Sequence, residues 1–355
     1  MDSKKIDIRQ LTLEELITYF TEIGEKAFRA KQVYEWLWKK SLTDFDEMTN
    51  LSLELRDKIK NKFEIRFLTI AEFQKSKDKT IKSVFKLSDG AIVEGVLIPT
   101  SKRMTACVSV QVGCGLSCSF CATGKLKRVR NLNPDEIYDQ VVLIDKQARE
   151  EYGIPLSNIV YMGMGEPLLN YKNVLHSIDK ITSKDGLGMS PKRITVSTAG
   201  IAKMINKLAD DNVKFNLALS LHAANDIKRS SIMDINDSNT LDELAESLRN
   251  FHRKTGKRVT FEYIVFKGFN DEIKDAEELA EFCKNVPCKV NIIEYNSVDG
   301  GEFQQADFER VDAFAAFLES KNIIVNIRRS RGKDIDAACG QLANKNETVE
   351  ENLLK

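Results

Sequence analysis

The chain has 355 residues, 42% of them hydrophobic and 30% charged, a composition that fits about two globular domains and excludes a disordered protein. Its 53 basic and 53 acidic side chains balance, so a polyanionic partner would have to meet a local patch. Apolar runs fall short of the roughly 18 residues that cross a bilayer, and the first residues lack a secretory signal, so we expect a cytoplasmic protein with no membrane partner.

The N-terminal part predicts a small helical module followed by a β-hairpin. Leu13, Leu16 and Phe20 recur at spacings of three and four, which is typical of one buried helix face. Beyond the module the apolar residues take a strand-like period, and two such runs are joined across a Ser-Asp-Gly turn. We assign residues 1–67 to the helical module and residues 68–99 to the hairpin, which connects the module to the main domain.

Predicted strands and helices alternate through the main domain, residues 100–330, and a C-terminal segment follows at residues 331–355. Such βα repetition predicts an α/β fold with a parallel sheet, either a barrel or an open doubly wound sheet. Six βα units followed by a last strand favour a partial (β/α)6 barrel. The strands are expected near 105–112, 157–163, 192–198, 213–221, 258–266, 288–295 and 322–328, and the helices near 134–150, 171–183, 201–209, 240–255, 273–285 and 306–319.

Three closely spaced cysteines point to metal chemistry. Cys114, Cys118 and Cys121 form a C-x3-C-x2-C motif directly after the first predicted strand of the main domain. Three thiolates on one tight loop can hold three irons of a 4Fe-4S cluster and leave the fourth iron free for a substrate or cofactor. The alternative is a structural zinc ion, which usually needs four ligands from paired knuckles, and no second knuckle lies nearby.

The triplet, with an aromatic residue just before its last cysteine, resembles the signature of the radical S-adenosylmethionine (SAM) superfamily. Further motifs narrow the resemblance to the RlmN family of rRNA adenine carbon-2 methyltransferases, and they occur along nearly the whole chain. These motifs are Gln111-Val-Gly-Cys114, Met162-Gly-Met-Gly-Glu-Pro-Leu-Leu-Asn170, Ser220-Leu-His222 and Ile335-Asp-Ala-Ala-Cys339-Gly-Gln-Leu342.

The resemblance implies an enzyme with a 4Fe-4S cluster that uses two SAM molecules per turnover. Its expected substrate is an adenine of 23S rRNA in the peptidyl-transferase centre, with tRNA as a second candidate. The expected partners also include an electron donor such as flavodoxin or ferredoxin, and a monomer is expected. Two alternatives stay open: the related adenine carbon-8 rRNA methyltransferase, and a non-enzymatic zinc- and RNA-binding protein.

Polar residues at the ends of the predicted strands are candidates for SAM binding. The strand period of two places Ser220 and His222 on one face, where they could line a cavity. The alternative is that each is a hydrogen-bonded core residue. The resemblance implies SAM contacts at Gly165, Glu166, Ser197, Ser220, Leu221, His222 and Asn296.

Two isolated cysteines and one glutamate receive catalytic roles from the resemblance. It implies that Cys339 becomes S-methylated and carries the transferred carbon, and that Cys107 resolves the adduct through a transient disulfide with Cys339. Without the resemblance, Cys107 would be interpreted as a small buried residue. The resemblance also places a proton acceptor at Glu94, for which the alternative is buried pairing with a Lys or Arg. Cys283 and Cys288 match no family motif and are expected in the core.

Two basic runs lie beside the predicted chemistry. They could contact the phosphates of a folded RNA, although the alternative for each is an ordinary solvated surface. The helical module resembles the family's accessory RNA-recognition domain, and its alternative is a packing appendage. The candidate RNA-binding residues are Lys125, Lys127, Arg128, Arg130, Arg328, Arg329, Arg331 and Lys333.

Overall fold

A computed structural model describes residues 5–344 of the chain, so residues 345–355 of the expected C-terminal segment and residues 1–4 lie outside it. Ten strands join in one mixed sheet and four more form two small sheets. None of the helices in the described range has the length and apolar character needed to span a bilayer. In chain order the elements are β1 (Ile6–Asp7), α1 (Leu13–Glu22), α2 (Ala27–Trp38), α3 (Leu53–Lys62), β2 (Phe63–Glu64), β3 (Thr69–Lys75), β4 (Ile81–Lys86), β5 (Ile92–Pro99), β6 (Met104–Cys107), β7 (Gln111–Val112), β8 (Arg130–Asn131), α4 (Pro134–Tyr152), β9 (Asn158–Tyr161), α5 (Tyr171–Thr182), β10 (Ile194–Thr198), α6 (Ala202–Asp210), β11 (Asn216–Ser220), α7 (Asp226–Ile232), α8 (Leu241–Thr255), β12 (Val259–Val265), α9 (Ile273–Cys283), β13 (Cys288–Glu294), α10 (Phe308–Ser320) and β14 (Ile324–Arg328).

The large sheet combines an antiparallel part with a parallel part. Strands β3 to β6 pair antiparallel in chain order, and β6, β9, β10, β11, β12, β13 and β14 then pair parallel. At least one helix connects each parallel strand to the next, which gives six βα units and a last strand. Within residues 5–344, β3 and β14 stand at the two ends of the strand order and the sheet does not close. The predicted partial barrel is therefore confirmed.

The predicted hairpin is present as β4 and β5, and it extends the large sheet. A further strand, β3, precedes it and pairs with β4. Because β5 pairs with β6, the hairpin lies directly beside the first strand of the parallel part. Side chains of β5 are thereby brought close to the carboxyl ends of the parallel strands.

The predicted strand over residues 105–112 is interrupted at Ser109. β6 ends at Cys107, and β7 pairs with β8 in a separate small sheet. At the interruption, side chains replace the strand ladder: the Ser109 N–H donates to Gln140 Oε1 at 2.8 Å, and the Ser109 hydroxyl donates to the Glu94 carbonyl oxygen at 2.6 Å. Because both partners are distant in sequence, the local period of two did not reveal the interruption.

The helical module has a local apolar core and packs on α4. A capping box between Thr12 and Glu15 begins α1, whose apolar side buries Phe20. The buried ring of Trp38 in α2 meets Tyr138 of α4 edge to face, with ring centroids 5.2 Å apart. The module is thus attached to the first helix of the parallel part.

A buried charge cluster adds to this attachment. Arg9 Nη1 donates to Asp139 Oδ1 at 2.7 Å, Nη2 lies 3.5 Å from Asp135 Oδ2, and Nε lies 3.7 Å from Asp7 Oδ1. One guanidinium therefore faces three carboxyl groups. Since one cation cannot neutralise three carboxylates, burial raises the pKa of Asp139 to about 7 and that of Asp135 to about 6.

Candidate active site

Two adjoining cavities lie at the carboxyl ends of the parallel strands, where folds of this class place their sites. Their volumes are about 170 Å³ and about 330 Å³. Both are lined by Cys121, Met162, Gly163, Arg328 and Cys339, which form a shared wall. We refer to them as the first cavity and the second cavity.

The cysteine triplet lines the first cavity. Cys114, Cys118 and Cys121 are free thiols, and burial raises the pKa of each one. For Cys118, the charges of Cys121 and Cys114 add to the rise. Three thiolates in such a place require positive charge beside them. The iron atoms of a 4Fe-4S cluster supply that charge, so the donor set fits this cofactor.

Within residues 5–344, no group of three or more His, Cys, Asp or Glu side chains is arranged to hold one metal ion. A structural zinc ion draws its ligands to one point, whereas a 4Fe-4S cluster binds each thiolate through a different iron atom.

Backbone contacts fix the loop that carries the triplet. The Cys121 N–H donates to the Cys118 carbonyl oxygen at 3.1 Å. Gly113 enters the loop with φ of 73°, and a Cβ atom there would lie 2.3 Å from the Lys127 carbonyl oxygen. Only glycine fits that approach. The loop thus closes tightly on itself and turns the three thiols toward one cavity.

Glu166 is held at the edge of the first cavity by backbone donors. Its Oε2 accepts a hydrogen bond from the Ala199 N–H at 2.8 Å, and Oε1 accepts one from the Leu168 N–H at 2.9 Å. Burial raises the pKa of Glu166, and these two bonds oppose the rise. Gly165 precedes it with φ of 96°, and a Cβ there would lie 2.5 Å from the Gln111 side chain. Each carboxylate oxygen has a second lone pair, so it can accept a further bond from an ammonium group.

Ser197, Ser220 and His222 also line the first cavity. The two serine hydroxyls are 3.2 Å apart. His222 Nδ1 accepts a hydrogen bond from the Ile264 N–H at 3.1 Å, so the neutral ring carries its proton on Nε2. Burial and the nearby Arg229 lower the pKa of His222 to about 3, which keeps the ring neutral. The predicted polar strand ends therefore meet in one place.

Leu221 and Asn296 do not line either cavity. The Leu221 side chain lies in the main apolar core, while its carbonyl oxygen accepts from Arg229 Nε at 3.1 Å. Asn296 is buried, and its Nδ2 donates to the Cys339 carbonyl oxygen at 3.3 Å. The buried Asn296 Oδ1 has no hydrogen-bond partner within residues 5–344. A buried acceptor without a donor is costly, so a ligand that offers an N–H or O–H fits this position.

Cys107 and Cys339 line the second cavity together, and both thiols are free. Cys107 is buried, whereas Cys339 is exposed within the two cavities that it lines. Burial raises the pKa of Cys107 to about 12; the charge of Cys339 adds to this rise, and Arg328 opposes it. Burial also raises the pKa of Cys339, and Arg328 again opposes the rise. One guanidinium therefore favours the thiolate form of both cysteines.

Glu262 holds this arginine and was not among the site residues predicted from the sequence. Arg328 Nη1 lies 3.4 Å from Glu262 Oε2, and Glu262 Oε1 accepts from Asn291 Nδ2 at 2.8 Å. Ser220, Glu262, Asn291 and Asn326 are aligned across strands β11 to β14. A signal was present, since Glu262 is the only charged residue of strand β12.

Glu94 lies beside the C-terminal segment and lines neither cavity. Its fully buried Oε2 accepts hydrogen bonds from the Ala343 N–H at 2.8 Å and from the Asn344 N–H at 3.1 Å. Its Oε1 lies 3.3 Å from Lys82 Nζ, which is buried too. The register of β4 and β5 places Lys82 opposite Val96, on the same face as Glu94, so the pattern of the hairpin could have indicated this partner.

Most of the candidate RNA-binding side chains have partners within the protein. Arg130 pairs with Glu136 and Asp89, Arg329 and Lys333 pair with Glu294, and Arg331 pairs with Asp78. Lys125 Nζ donates to the Asp299 carbonyl oxygen at 2.6 Å, and Arg128 Nη1 donates to Asn131 Oδ1 at 3.3 Å. Lys127 is exposed. Arg328, Arg329 and Arg331 line the second cavity.

Cys283 and Cys288 lie away from both cavities. Cys283 is buried at the end of α9, and Cys288 is half-buried at the start of β13. The Cys288 thiol donates to the Cys283 carbonyl oxygen at 3.7 Å, a weak contact. Both belong to or pack against the main apolar core.

Comparisons with known proteins agree with this geometry. Residues 6–65 match the family model of the ribosomal RNA large subunit methyltransferase N-terminal domain, and residues 108–283 match that of the radical SAM superfamily. A probable dual-specificity RNA methyltransferase RlmN of Cytophaga hutchinsonii is 62% identical over 340 residues, which cover 96% of this chain and 93% of the relative. Dual-specificity RNA methyltransferase RlmN 2 of Myxococcus xanthus is 44% identical over 351 residues, 98% of this chain and 93% of the relative. The crystal structure of a radical SAM methyltransferase from Sphaerobacter thermophilus matches with a TM-score of 0.89 and 39% identity, over 95% of this chain and 99% of that chain.

Proposed function

This chain belongs to the RlmN family of radical SAM RNA methyltransferases, and from that premise we propose that it methylates carbon 2 of an adenine in 23S rRNA, with tRNA as its second substrate. Membership of an enzyme family excludes the non-enzymatic zinc- and RNA-binding alternative. The observation that carries the proposal is the pair of free thiols, Cys107 and Cys339, beside the wall that separates the two cavities.

The residues of the first cavity fit the cofactors that the family uses, a 4Fe-4S cluster and SAM. When bound, these groups supply the radical chemistry that adenine carbon 2 requires, because that carbon is electron-poor and its hydrogen is not acidic. We assign Cys114, Cys118 and Cys121 to the cluster. We assign the SAM contacts to Gly165, Glu166, Ser197, Ser220 and His222, which line the first cavity. The family resemblance adds Leu221 and Asn296, which line neither cavity.

Cys339 and Cys107 act in sequence in the proposed route. Cys339, as a thiolate, would attack the methyl group of one SAM, which leaves as S-adenosylhomocysteine, and would carry the carbon as S-methylcysteine. The bound cofactors would supply the removal of one hydrogen atom from this methyl group, so that its carbon can bond to adenine carbon 2. The surplus electron of the adduct would return to the cofactors as the carbon-2 proton leaves. Cys107 then attacks the sulfur of Cys339, so a disulfide forms and the carbon–sulfur bond breaks. The carbon keeps the electron pair of the broken bond and takes a proton, which completes the methyl group. A dithiol reductant must reopen the Cys107–Cys339 disulfide before the next turnover.

Arg328 supports both thiolate steps. Its guanidinium opposes the rise in pKa of both cysteines, and Glu262 holds it in place. The proton on carbon 2 needs an acceptor, and the family resemblance assigns that role to Glu94, whose carboxylate lines neither cavity.

The second cavity and the helical module are the proposed RNA contacts. Arg103, Arg329 and Arg331 line the second cavity and give it a cationic rim that suits phosphate. The module matches a domain of ribosomal RNA methyltransferases. We further propose that the enzyme acts as a monomer in the cytoplasm and receives electrons from flavodoxin or ferredoxin.

Nucleoside mass spectrometry tests the proposed function. The reconstituted enzyme is incubated with SAM, a reductant and either 23S rRNA or tRNA, and the digested RNA is compared with adenosine methylated at carbon 2 or carbon 8. We expect carbon-2 methylation of both RNAs and none with the Cys339→Ala variant. Methylation at carbon 8 would favour the related methyltransferase, and an unmodified tRNA would remove the second substrate.

A further inference from the structure

The segment that presents Cys339 is held in place mainly by contacts with other parts of the chain. Beyond β14, residues 329–344 contain one short turn of 3-10 helix at Lys333–Ile335. Near Cys339, the Ala122 N–H donates to the Gly340 carbonyl oxygen at 2.7 Å, and the Thr123 hydroxyl donates to the Leu342 carbonyl oxygen at 2.6 Å. These bonds join the segment to the loop of the cysteine triplet.

The last contacts in the described chain are made to Glu94. Its Oε2 accepts from two successive backbone N–H groups, those of Ala343 and Asn344, at 2.8 and 3.1 Å. Asn344 Nδ2 adds a bond to the Ile92 carbonyl oxygen at 3.1 Å, also on β5. Three residues separate Cys339 from Ala343, the first of these anchoring points, so the anchor limits where the thiol can lie.

Lys82 makes this anchor possible in a buried place. Glu94 is 0% exposed and Lys82 is 3% exposed, and the ammonium lies 3.3 Å from Glu94 Oε1. A buried carboxylate without a cation would be strongly unfavourable. The Lys82 ammonium compensates the charge of the buried carboxylate, and a carboxylate accepts hydrogen bonds from backbone N–H groups more strongly than a neutral group does.

We propose that Glu94, held by Lys82, is a positioning residue that fastens residues 343–344 to β5 and so keeps Cys339 on the wall between the two cavities. This inference rests on the proposed function for its catalytic consequence. A proton acceptor should reach the adenine, yet the Glu94 carboxylate faces the C-terminal segment and lines neither cavity. The positioning role acts before RNA is bound, whereas a proton acceptor acts after RNA has reacted.

Two variants of Glu94 separate these roles in the full-length protein. Glu94→Ala removes the acceptor, whereas the amide oxygen of Glu94→Gln still accepts both N–H bonds. Hydrogen exchange of the Ala343 and Asn344 amides and the methyl occupancy of Cys339 without RNA are measured by mass spectrometry. We expect Glu94→Ala to exchange at least tenfold faster at both amides and to lose most of the methyl group. Glu94→Gln should exchange more slowly than Glu94→Ala but faster than the unmodified chain, because it keeps both hydrogen bonds and loses the ion pair with Lys82.

A second pair of variants leaves Glu94 untouched. Ala343→Pro removes one of the two N–H donors, and Ala343→Ser is the matched control that keeps it. We expect the proline variant to lose methyl occupancy at Cys339 and the serine variant to keep it. This pair keeps the test valid if Glu94→Ala fails to fold, which circular dichroism would show.

Several outcomes would overturn the inference. One is unchanged exchange at Ala343 and Asn344 in Glu94→Ala. Another is full methyl occupancy in Glu94→Ala with loss of RNA methylation in both Glu94 variants, the result expected of a proton acceptor. If the unmodified chain carries no methyl group on Cys339, the proposed function fails, but hydrogen exchange still decides whether Glu94 fastens the segment.

Discussion

Two arginines of this protein, Arg9 and Arg328, pair with acidic side chains but differ in what surrounds them. The Arg9 side chain is 2% exposed and faces three carboxyl groups at the junction between the helical module and α4. The Arg328 side chain is 40% exposed, faces Glu262, and lines both cavities beside two thiols. The buried Arg9 and its three carboxyl groups hold the helical module against α4. Arg328 is partly exposed to the cavities, so its charge can favour the thiolate forms of Cys107 and Cys339.

The largest expected effect concerns Cys107, which lines the second cavity together with Arg328. Cys107→Ala should still load a methyl group onto Cys339 and attach its carbon to RNA, and then stall because no thiolate can release the product. We expect methylated RNA to fall at least ~1,000-fold, since removing a chemical nucleophile typically costs that much or more. A covalent protein–RNA species that RNase shortens should appear on a denaturing gel.

Cys339→Ala is the matched control for this experiment, because it lacks the atom that would be joined to RNA. It should give neither methylated RNA nor the covalent species, while it keeps the iron content of the unmodified protein. Free methylated RNA at normal yield from Cys107→Ala would leave Cys107 as a buried core residue.

Replacing each arginine by methionine tests the comparison directly. Arg9→Met should destabilise the protein by about 3–5 kcal/mol, because it leaves buried carboxyl groups without their cation. Thermal unfolding measures this loss. Arg328→Met should change the unfolding temperature little and slow methyl loading onto Cys339 by roughly tenfold, a loss of about 1.4 kcal/mol in transition-state stabilisation.

The conservative change at Arg328 supplies the control. Arg328→Lys keeps a cation beside the thiols and should recover much of the rate, whereas a role limited to packing would make both variants alike. If Arg9→Met were as stable as the unmodified protein, the buried charge cluster around Arg9 would not stabilise the attachment of the helical module to α4.

Short-range patterns explain what the sequence could predict in each region. The period of apolar residues indicated the βα units, and the spacing of Cys114, Cys118 and Cys121 indicated a cluster, because both signals lie within a few residues. Arg328 was assigned with RNA-binding residues, since its partner Glu262 lies 66 positions away and only the parallel register of β12 to β14 brings them together. The interruption of the predicted strand at Ser109 was missed for the same reason, because its partners Gln140 and Glu94 are also distant in sequence.

A smaller effect on stability is expected from the titration of Asp135 and Asp139 in the buried charge cluster. In the unfolded chain Asp135 and Asp139 titrate near 3.8, whereas in the folded protein burial raises their pKa values to about 6 and about 7. The folded protein therefore retains protons that the unfolded chain has released. This contribution to stability is complete below about pH 4 and is lost as the pH rises through 6 and 7.

Asp139→Asn removes one titrating group and tests this account. The unfolding temperature of the unmodified protein should fall relative to that of the variant by roughly 2–4 °C between pH 5 and pH 8. Differential scanning calorimetry at the two pH values measures the difference. Parallel curves for the two proteins would show that Asp139 has the same charge in the folded and unfolded states over this range.

The smallest expected effects are on RNA affinity and concern single phosphate contacts near the second cavity. Arg331 lines the second cavity and donates to the Asp78 carbonyl oxygen at 2.7 Å, whereas Arg128 is exposed and has one bond to Asn131 at 3.3 Å. Arg331→Ala and Arg128→Ala should each weaken RNA binding about 2–5-fold at low salt, and the effect should shrink as salt rises because each variant releases about one fewer counterion. Lys321→Ala, between α10 and the amino end of β14 and lining neither of the two cavities, is the control and should leave the affinity unchanged. Filter binding over a range of salt concentrations measures the slopes, and equal affinities for all four proteins at low salt would identify both arginines as ordinary solvated surface.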